Sequence, residues 1–194
     1  DAAKKPETIG MNDLVPTSGD SPMVPWGIME GEKYKIPYRI EFIMHTAGNY
    51  MMAMLDPRIL EKAFKDTFAV SFSLFLDEST EFADIVLPDT CYLERLDLQV
   101  DGYSTISPVD EWAWHIRQPV VEPMFQRRPA QKVLLELGER LGILGDMYRQ
   151  MNFIFDFEEP YTLDSAGNYT WEEMVDRRLK GYFGLKHGLT WFKE

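Results

Sequence analysis

The sequence is poor in cysteine, in positive charge and in long apolar runs. Cys91 is the only cysteine among 194 residues, so the chain by itself cannot form an internal disulfide or ligate an iron–sulfur cluster through cysteines. Lysine and arginine number 20 against 32 aspartate and glutamate, and this net charge of −12 argues against nucleic acid or an anionic membrane surface as a partner. The longest apolar run has about nine residues, whereas a membrane-spanning helix needs roughly twenty. We therefore expect neither membrane insertion nor a nucleic-acid partner.

The single thiol leaves two interpretations open. Cys91 could be a nucleophile paired with His45, His115 or His187, since a neighbouring imidazole can take the proton of a thiol. A lone cysteine is far more often a small buried hydrophobe, and nothing in these spacings fixes a catalytic geometry. We predict no catalytic residue and no metal ligand in this chain.

Apolar runs predict a parallel sheet in the first half of the chain. Phe68–Leu76 is rich in aromatic and branched side chains, which is the pattern of a strand buried on both faces. Arg39–Met44 predicts an earlier strand, and Ile85–Leu87 predicts a later one that ends at Pro88, because proline cannot donate to the ladder.

A helix is predicted between the first two strands. Asp56 has the residue type of an N-cap, Pro57 suits the first helical position, and an apolar stripe follows. A strand–helix–strand crossover within one sheet joins parallel strands with a right-handed connection. The sequence therefore predicts an α/β, Rossmann-like fold with a mostly parallel sheet and flanking helices.

Small and polar residues follow two of the predicted strands. Gly48 lets the backbone approach a ligand closely, and the neighbouring Asn49 carries both a donor and an acceptor. A polar turn, Asp77–Thr80, follows the second strand. Ligands of open parallel sheets bind in the crevice outside the carboxyl ends of the strands. We therefore expect both turns to line a binding site.

The chain is predicted to have three parts. Residues 1–35 are rich in proline, glycine, serine and charge, and they predict an extended lead-in. Residues 36–125 hold the Rossmann-like segment, and residues 126–194 predict a helical return toward a neighbouring domain.

Local signals mark elements in the second half of the chain. Asp101–Gly102 predicts a tight hairpin turn, and alternation over Trp112–Gln118 predicts a half-exposed strand. Pro129 and Gly142 are placed to begin and end one helix. Thr170–Glu173 has the spacing of a capping box, which predicts another helix to about residue 181.

The segment from Asp77 to Arg95, DESTEFADIVLPDTCYLER, resembles a motif of the molybdopterin oxidoreductases, the dimethyl sulfoxide reductase family. That motif reads E-T-A-x-x-A-D-x-V-L-P-x-x-x-x-L-E in the large subunits of these enzymes. The matching or aligned positions here are Glu78, Ser79, Thr80, Ala83, Asp84, Val86, Leu87, Pro88 and Glu94. Gly48 and Asn49 also match a Gly/Ala-Asn-Pro motif of the family, with Tyr50 in place of proline.

The resemblance implies that this chain is an interior fragment of a larger multidomain subunit. The parent would bind molybdopterin guanine dinucleotide with molybdenum or tungsten, and Gly48, Asn49, Glu78 and Ser79 would contribute to the dinucleotide site. The metal and a 4Fe-4S cluster would be held outside this segment. Implied partners are the remaining domains of the parent and an iron–sulfur electron-transfer subunit, in a prokaryotic cytoplasm or periplasm that the sequence does not distinguish.

Several positions depart from the family pattern and keep alternatives open. Ser73 stands where many members have an acidic residue, and Arg95–Asp97 replaces the usual Glu-Gly-Thr. The sequence of the Tyr92–Arg95 segment is more similar to the family branches that act on sulfur oxyanions, polysulfide, aromatic acyl thioesters or acetylene than to the other branches. One alternative is a cofactor-free scaffold, or an electron-transfer or assembly subunit, with a family-like fold. Another is an independent nucleotide-binding module.

Overall fold

The structure is a computed structural model that describes residues 24–33, 36, 38–46, 48–53, 56–99 and 115–193. The chain divides into two compact units, Asp1–Asp89 and Thr90–Glu194. The junction falls inside the segment 36–125 that we expected to form one α/β part, and the predicted domain boundaries stay a prediction. No helix in the described part of the chain is long and apolar enough to cross a membrane.

The first unit is built on a three-stranded parallel sheet. Strands β1 (Phe42–Thr46), β2 (Phe68–Ser73) and β3 (Ile85–Pro88) lie in that order, and both neighbouring pairs are parallel. Phe42 lies opposite Phe68 in the register of β1 and β2. The predicted α/β fold with a parallel sheet is confirmed.

Two strand bounds differ from the prediction. β1 begins at Phe42 rather than Arg39 and continues through Thr46, and β2 ends at Ser73 rather than Leu76. A strand ends where its neighbour stops pairing, and the register shows that Ser73 is the last residue of β2 with a partner, Pro88. Apolar composition alone does not contain that information.

Helix α3 (Pro57–Asp66) forms the predicted crossover between β1 and β2. Asp56 caps it by accepting the Arg58 N–H at 3.0 Å, and Pro57 occupies the first turn as predicted. The buried face of α3 packs Leu60 and Phe64 against Ala69 of β2. Helix and sheet therefore share one small apolar core in the first unit.

Helix α1 (Val24–Glu30) lies within the segment 1–35 that we expected to be extended. The expectation was wrong for these seven residues. A helix of seven residues is too short to show a sustained apolar periodicity in the sequence. It is also marginally stable in isolation, so it depends on packing. Here α1 contacts α3, and Pro25 and Gly27 are buried.

The second unit is mainly helical. Its helices among the described residues are α4 (Ala130–Arg140), α5 (Leu144–Ile154), α6 (Trp171–Phe183) and α7 (Leu189–Lys193). The helix from Pro129 was predicted, whereas α5 was not.

Strands β4 (Asp97–Gln99) and β5 (His115–Arg117) pair antiparallel in the second unit. β5 falls within the strand predicted over Trp112–Gln118, of which 112–114 lie outside the described residues, as does the predicted turn at Asp101–Gly102.

The ends of two helices follow local chemistry. Gly142, at φ +71°, follows α4 as predicted, in a backbone region that favours glycine. Thr170 and Glu173 form the predicted capping box of α6. That helix continues past Gly181 to Phe183, and the Gly184 that follows it has φ +89°. Met174, Val175 and Leu179 of α6 supply much of the unit's buried apolar surface.

Candidate functional site

The turns after β1 and β2 meet through three of the predicted site residues. The Asn49 side chain donates from Nδ2 to Oε2 of Glu78 at 2.5 Å. Ser79 Oγ donates to Oδ1 of the same amide at 2.9 Å. Asn49 is separated from Glu78 by 29 residues in sequence, so the parallel pairing of β1 with β2 brings them together. Gly48 lies beside Asn49 in the same turn.

The direction of each hydrogen bond in this network is fixed by a backbone group. The Met51 N–H, in the short helix α2 (Tyr50–Ala53), donates to Ser79 Oγ at 3.0 Å. The Ser79 hydroxyl therefore directs its own proton to Asn49 Oδ1. An amide whose oxygen faces Ser79 turns its nitrogen toward Glu78. The network thus sets which end of Asn49 meets the carboxylate.

The three side chains differ in exposure. Ser79 is completely buried, at 0% exposed, whereas Asn49 is half-buried and Glu78 is exposed. The hydrogen bond from Asn49 is the main cause that lowers the pKa of Glu78 below its ordinary value. Glu78 is therefore an ionised acceptor at the surface, and Ser79 is an internal support for Asn49.

Gly48 has no internal reason to be glycine among the described atoms. A Cβ at this position would meet only the Tyr50 ring, at 3.7 Å, which is ordinary contact, and the Gly48 backbone is outside the left-handed region. The residue is exposed. An added Cβ would therefore meet no steric conflict among the described atoms.

Two other acidic residues of the motif are used inside the fold. Asp84 pairs twice with Ala69 of β2, because its Oδ2 accepts the Ala69 N–H at 2.8 Å and its own N–H donates to the Ala69 carbonyl at 2.8 Å. In the second unit, buried Glu94 accepts from the Cys91 N–H at 2.9 Å and from Arg127 Nη1 at 3.0 Å. These two carboxylates hold chain segments together.

Ser73, where many family members have an acidic residue, also has a local role. Its hydroxyl donates to the carbonyl of Phe75 at 2.6 Å, so it stabilises the chain where β2 ends. Among the described residues, no group of three or more histidine, cysteine, aspartate or glutamate side chains could hold a metal ion.

The histidines considered as partners of the Cys91 thiol have different surroundings. His45 is buried between the rings of Tyr50 and Phe64, and burial lowers its pKa. His187 Nδ1 lies 2.6 Å from the Phe183 carbonyl oxygen. The side chain of His115 lies outside the described residues.

Sequence reasoning missed the contacts that support the site. Asp77 and Thr80 bond to each other on either side of Glu78 and Ser79, and Arg127 pairs with Glu94. An acceptor at one position and a hydroxyl three residues later are typical of a capped turn, so the first pair carried a readable signal. The ion pair joins residues 33 apart and had no local signal.

A comparison with protein families identifies the chain. The family described as molybdopterin oxidoreductase matches residues 29–140, which is more than half of the sequence. The chain belongs to the molybdopterin oxidoreductase family, as the resemblance of its 77–95 segment implied.

Two curated relatives are named as subunits of enzymes. One sulfite dehydrogenase subunit, from Allochromatium vinosum, is 37% identical over 119 residues, covering 58% of this chain and 12% of the relative. The thiosulfate reductase molybdopterin-containing subunit of Salmonella typhimurium is 44% identical over 113 residues, covering 58% of this chain and 14% of the relative. The chain thus aligns with only a small part of either relative.

A solved structure supports the fold over most of the chain. Acetylene hydratase from Pelobacter acetylenicus matches with a TM-score of 0.59 and 21% identity, covering 89% of this chain and 20% of that chain. At this identity the likeness concerns the fold alone.

Proposed function

We propose that this chain is a segment of a larger molybdenum or tungsten bis-pterin-guanine-dinucleotide oxidoreductase subunit, and that its two strand-end turns help to bind the dinucleotide. The observation that carries the proposal is the Asn49–Glu78–Ser79 network at the carboxyl ends of β1 and β2. Ligands of open parallel sheets bind at this edge.

The chemistry of the site selects the part of the dinucleotide that it fits. Ionised Glu78 is an exposed acceptor, so it suits the N–H groups of a base or pterin, or the hydroxyl groups of a sugar. A phosphate beside this carboxylate would be repelled. Asn49 keeps a second amide hydrogen for a ligand acceptor, and the absence of a side chain at Gly48 would let a ligand approach the backbone closely.

Ser79 acts through Asn49 in this proposal. Its burial keeps it from a ligand, while its hydrogen bonds fix the amide that reaches one. Preorganising a binding group in this way lowers the entropic cost of binding.

The bound cofactor would supply two-electron or oxygen-atom transfer at its metal. The described residues of this chain would bind and orient the dinucleotide, and the metal ligand and a 4Fe-4S cluster would come from elsewhere in the parent. An iron–sulfur electron-transfer subunit is the expected redox partner, and the remaining domains of the parent would complete the site.

We infer that the substrate is a sulfur oxyanion. The names of both relatives concern such compounds, sulfite and thiosulfate. Sulfur oxyanions are also one of the four substrate classes, with polysulfide, aromatic acyl thioesters and acetylene, of the family branches that the Tyr92–Arg95 segment resembles. Turnover of sulfite or thiosulfate by the parent, compared with dimethyl sulfoxide, would test this assignment.

The first experiment measures molybdenum, tungsten and pterin in the full-length natural polypeptide that contains this chain. About one metal per polypeptide is expected, and its absence from anaerobically purified protein would favour the cofactor-free scaffold.

The same measurement on variants tests the site itself. Asn49→Ala and Glu78→Ala should each lower pterin content without unfolding the polypeptide, because neither side chain lies in the core. Glu81→Ala is the matched control, since Glu81 is also an exposed carboxylate of this turn. Equal pterin content in all three variants would refute the site assignment.

A further inference from the structure

Asp77 and Thr80 enclose the two site residues of the second turn and bond to each other reciprocally. The Asp77 N–H donates to Thr80 Oγ1 at 2.8 Å, and that hydroxyl donates to the Asp77 carbonyl at 2.7 Å. The Thr80 N–H donates to Asp77 Oδ1 at 2.9 Å. Thr80 is buried, at 6% exposed, so its hydroxyl has little access to water as a replacement.

This reciprocal pair fixes the backbone between its members. Glu78 and Ser79 occupy the two positions between Asp77 and Thr80, so the direction of both side chains depends on the conformation of the turn. Ser79 in turn hydrogen-bonds to Asn49 and to the Met51 N–H, in the turn and helix after β1, so its position constrains theirs. One closed turn therefore holds both halves of the site in register.

The two bonds made by the Thr80 hydroxyl are a feature of this chain rather than of the resembled motif. Thr80 stands where that motif has alanine, and an alanine has no hydroxyl with which to bond Asp77. The contact is thus an addition at the one motif position where this sequence gains a hydrogen-bonding group.

We propose that Asp77 and Thr80 are positioning residues, which hold Ser79 and thereby the Asn49–Glu78 pair in the orientation that receives the dinucleotide. The part concerning the dinucleotide rests on the proposed function. The part concerning Ser79 does not, and it can be tested without any cofactor.

The decisive test compares Thr80→Val with Thr80→Ser. Valine keeps the shape and removes the hydroxyl, whereas serine keeps the hydroxyl. The readout is the hydrogen-exchange rate of the Met51 amide, which lies 28 residues from its acceptor Ser79. We expect the Met51 amide to exchange about fivefold faster in Thr80→Val, because about 1 kcal/mol of hydrogen bonding is lost. In Thr80→Ser we expect a rate near that of the unsubstituted protein.

Thr67→Val is the control for general loosening. Thr67 is also buried, and its Oγ1 donates to the Ala63 carbonyl at 2.9 Å, at the junction of α3 and β2. Its loss should lower stability and leave the Met51 amide unchanged. The proposal would be overturned if the Met51 amide exchanged at the same rate in Thr80→Val and in the unsubstituted protein. It would also be overturned if Thr67→Val accelerated that exchange as much as Thr80→Val.

The second readout is the rate of pterin release from the full-length polypeptide in urea below the unfolding transition. Thr80→Val should release pterin about fivefold faster, and Thr80→Ser should restore slow release. Asp77→Ala should also release pterin faster, because it removes the carboxylate that accepts the Thr80 N–H. Release at the unsubstituted rate would refute the role of Asp77.

The two proposals fail in different ways. If the parent polypeptide holds no pterin, the proposed function fails and the Met51 exchange rate still decides the positioning of Ser79. If the full-length polypeptide holds pterin and its Thr80→Val variant releases pterin at the unsubstituted rate, the positioning proposal fails and the proposed function stands.

Discussion

Two glutamates of the same motif, one in each compact unit, have opposite surroundings. Glu78 in the first unit is exposed and bonded to one amide, from Asn49. Glu94 in the second unit is buried and accepts from Arg127 and from two backbone N–H groups. Glu78 has acceptor capacity left for a ligand, and the oxygens of Glu94 are used within the fold. One motif therefore contains a glutamate with free acceptor capacity and a glutamate used within the fold, and the residue type alone does not separate them.

The pKa values of both carboxyls are lowered, for different reasons. The side-chain amide of Asn49 is the main cause for Glu78, whereas the backbone N–H of Cys91 is the main cause for Glu94. A backbone donor is held by the fold, so the Glu94 interaction is lost only when the local structure opens. The Glu78 interaction can change when the Asn49 side chain moves.

The largest expected effect is on stability and comes from Glu94→Gln. Glutamine keeps the shape, but it removes the charge that Arg127 meets and places an N–H against backbone donors. We expect the unfolding temperature of the second unit to fall by roughly 5 °C or more. Glu78→Gln should leave the unfolding temperature of the first unit unchanged, and calorimetry of both variants measures the contrast. Equal losses would break the distinction between the two carboxylates.

Glu94 should also contribute to the loss of stability of the second unit at acidic pH. The pKa of Glu94 in the folded state lies below its ordinary value of 4.5, so its stabilisation is present above that pH and is lost as pH falls through the folded-state pKa. Glu94→Gln should flatten the dependence of stability on pH in this acidic range. An unchanged profile would show that other carboxyls dominate it.

The next effect is on cofactor retention and comes from Asn49→Asp. The change places a second carboxylate against Glu78, where the amide nitrogen now lies at 2.5 Å. Like charges at this distance repel, so we expect pterin content to fall about tenfold, further than in Asn49→Ala. Asn168→Asp, at an exposed asparagine of the second unit, is the control. Retention equal to that of Asn49→Ala would mean that the lost amide, not the added charge, matters.

The smallest effect is a pH response of the first unit through His45. Burial is the main cause that lowers its pKa below 6.5, and neither ring nitrogen has a hydrogen-bond partner among the described residues. The unfolded state therefore binds the proton more readily, and stability is lost as pH falls below about 6.5 toward the folded-state pKa. His45→Gln should remove this slope, with His187→Gln as the control in the second unit. Hydrogen exchange of β1 across pH 5 to 8 would show whether the two units respond in separate ranges.

Local sequence signals predicted the elements that local physics decides. The N-cap at Asp56, the capping box at Thr170 and Glu173, and the glycine after α4 are fixed by residues within a few positions of each other. The three parallel strands were predicted from apolar runs, although their bounds were not. α1 was missed because so short a helix is formed by packing against α3.

The candidate site was predicted in part. Both strand-end turns were expected at one edge of the sheet, and Asn49, Glu78 and Ser79 do meet there. The different roles of the three side chains could not be read, because burial of Ser79 depends on the packing around it. Whether these residues hold a dinucleotide stays a prediction.

The sequence alone determined the family, the order of the three parallel strands with a helix between the first two, and the residue types at the two turns. These follow from the motif, from periodicity and from caps, all of which act between near neighbours in the chain. Only the tertiary structure decided how each acidic residue is used. The partners of Glu78 and Glu94 come from residues 29 and 33 positions away, and a contact over that separation exists only after the chain has folded.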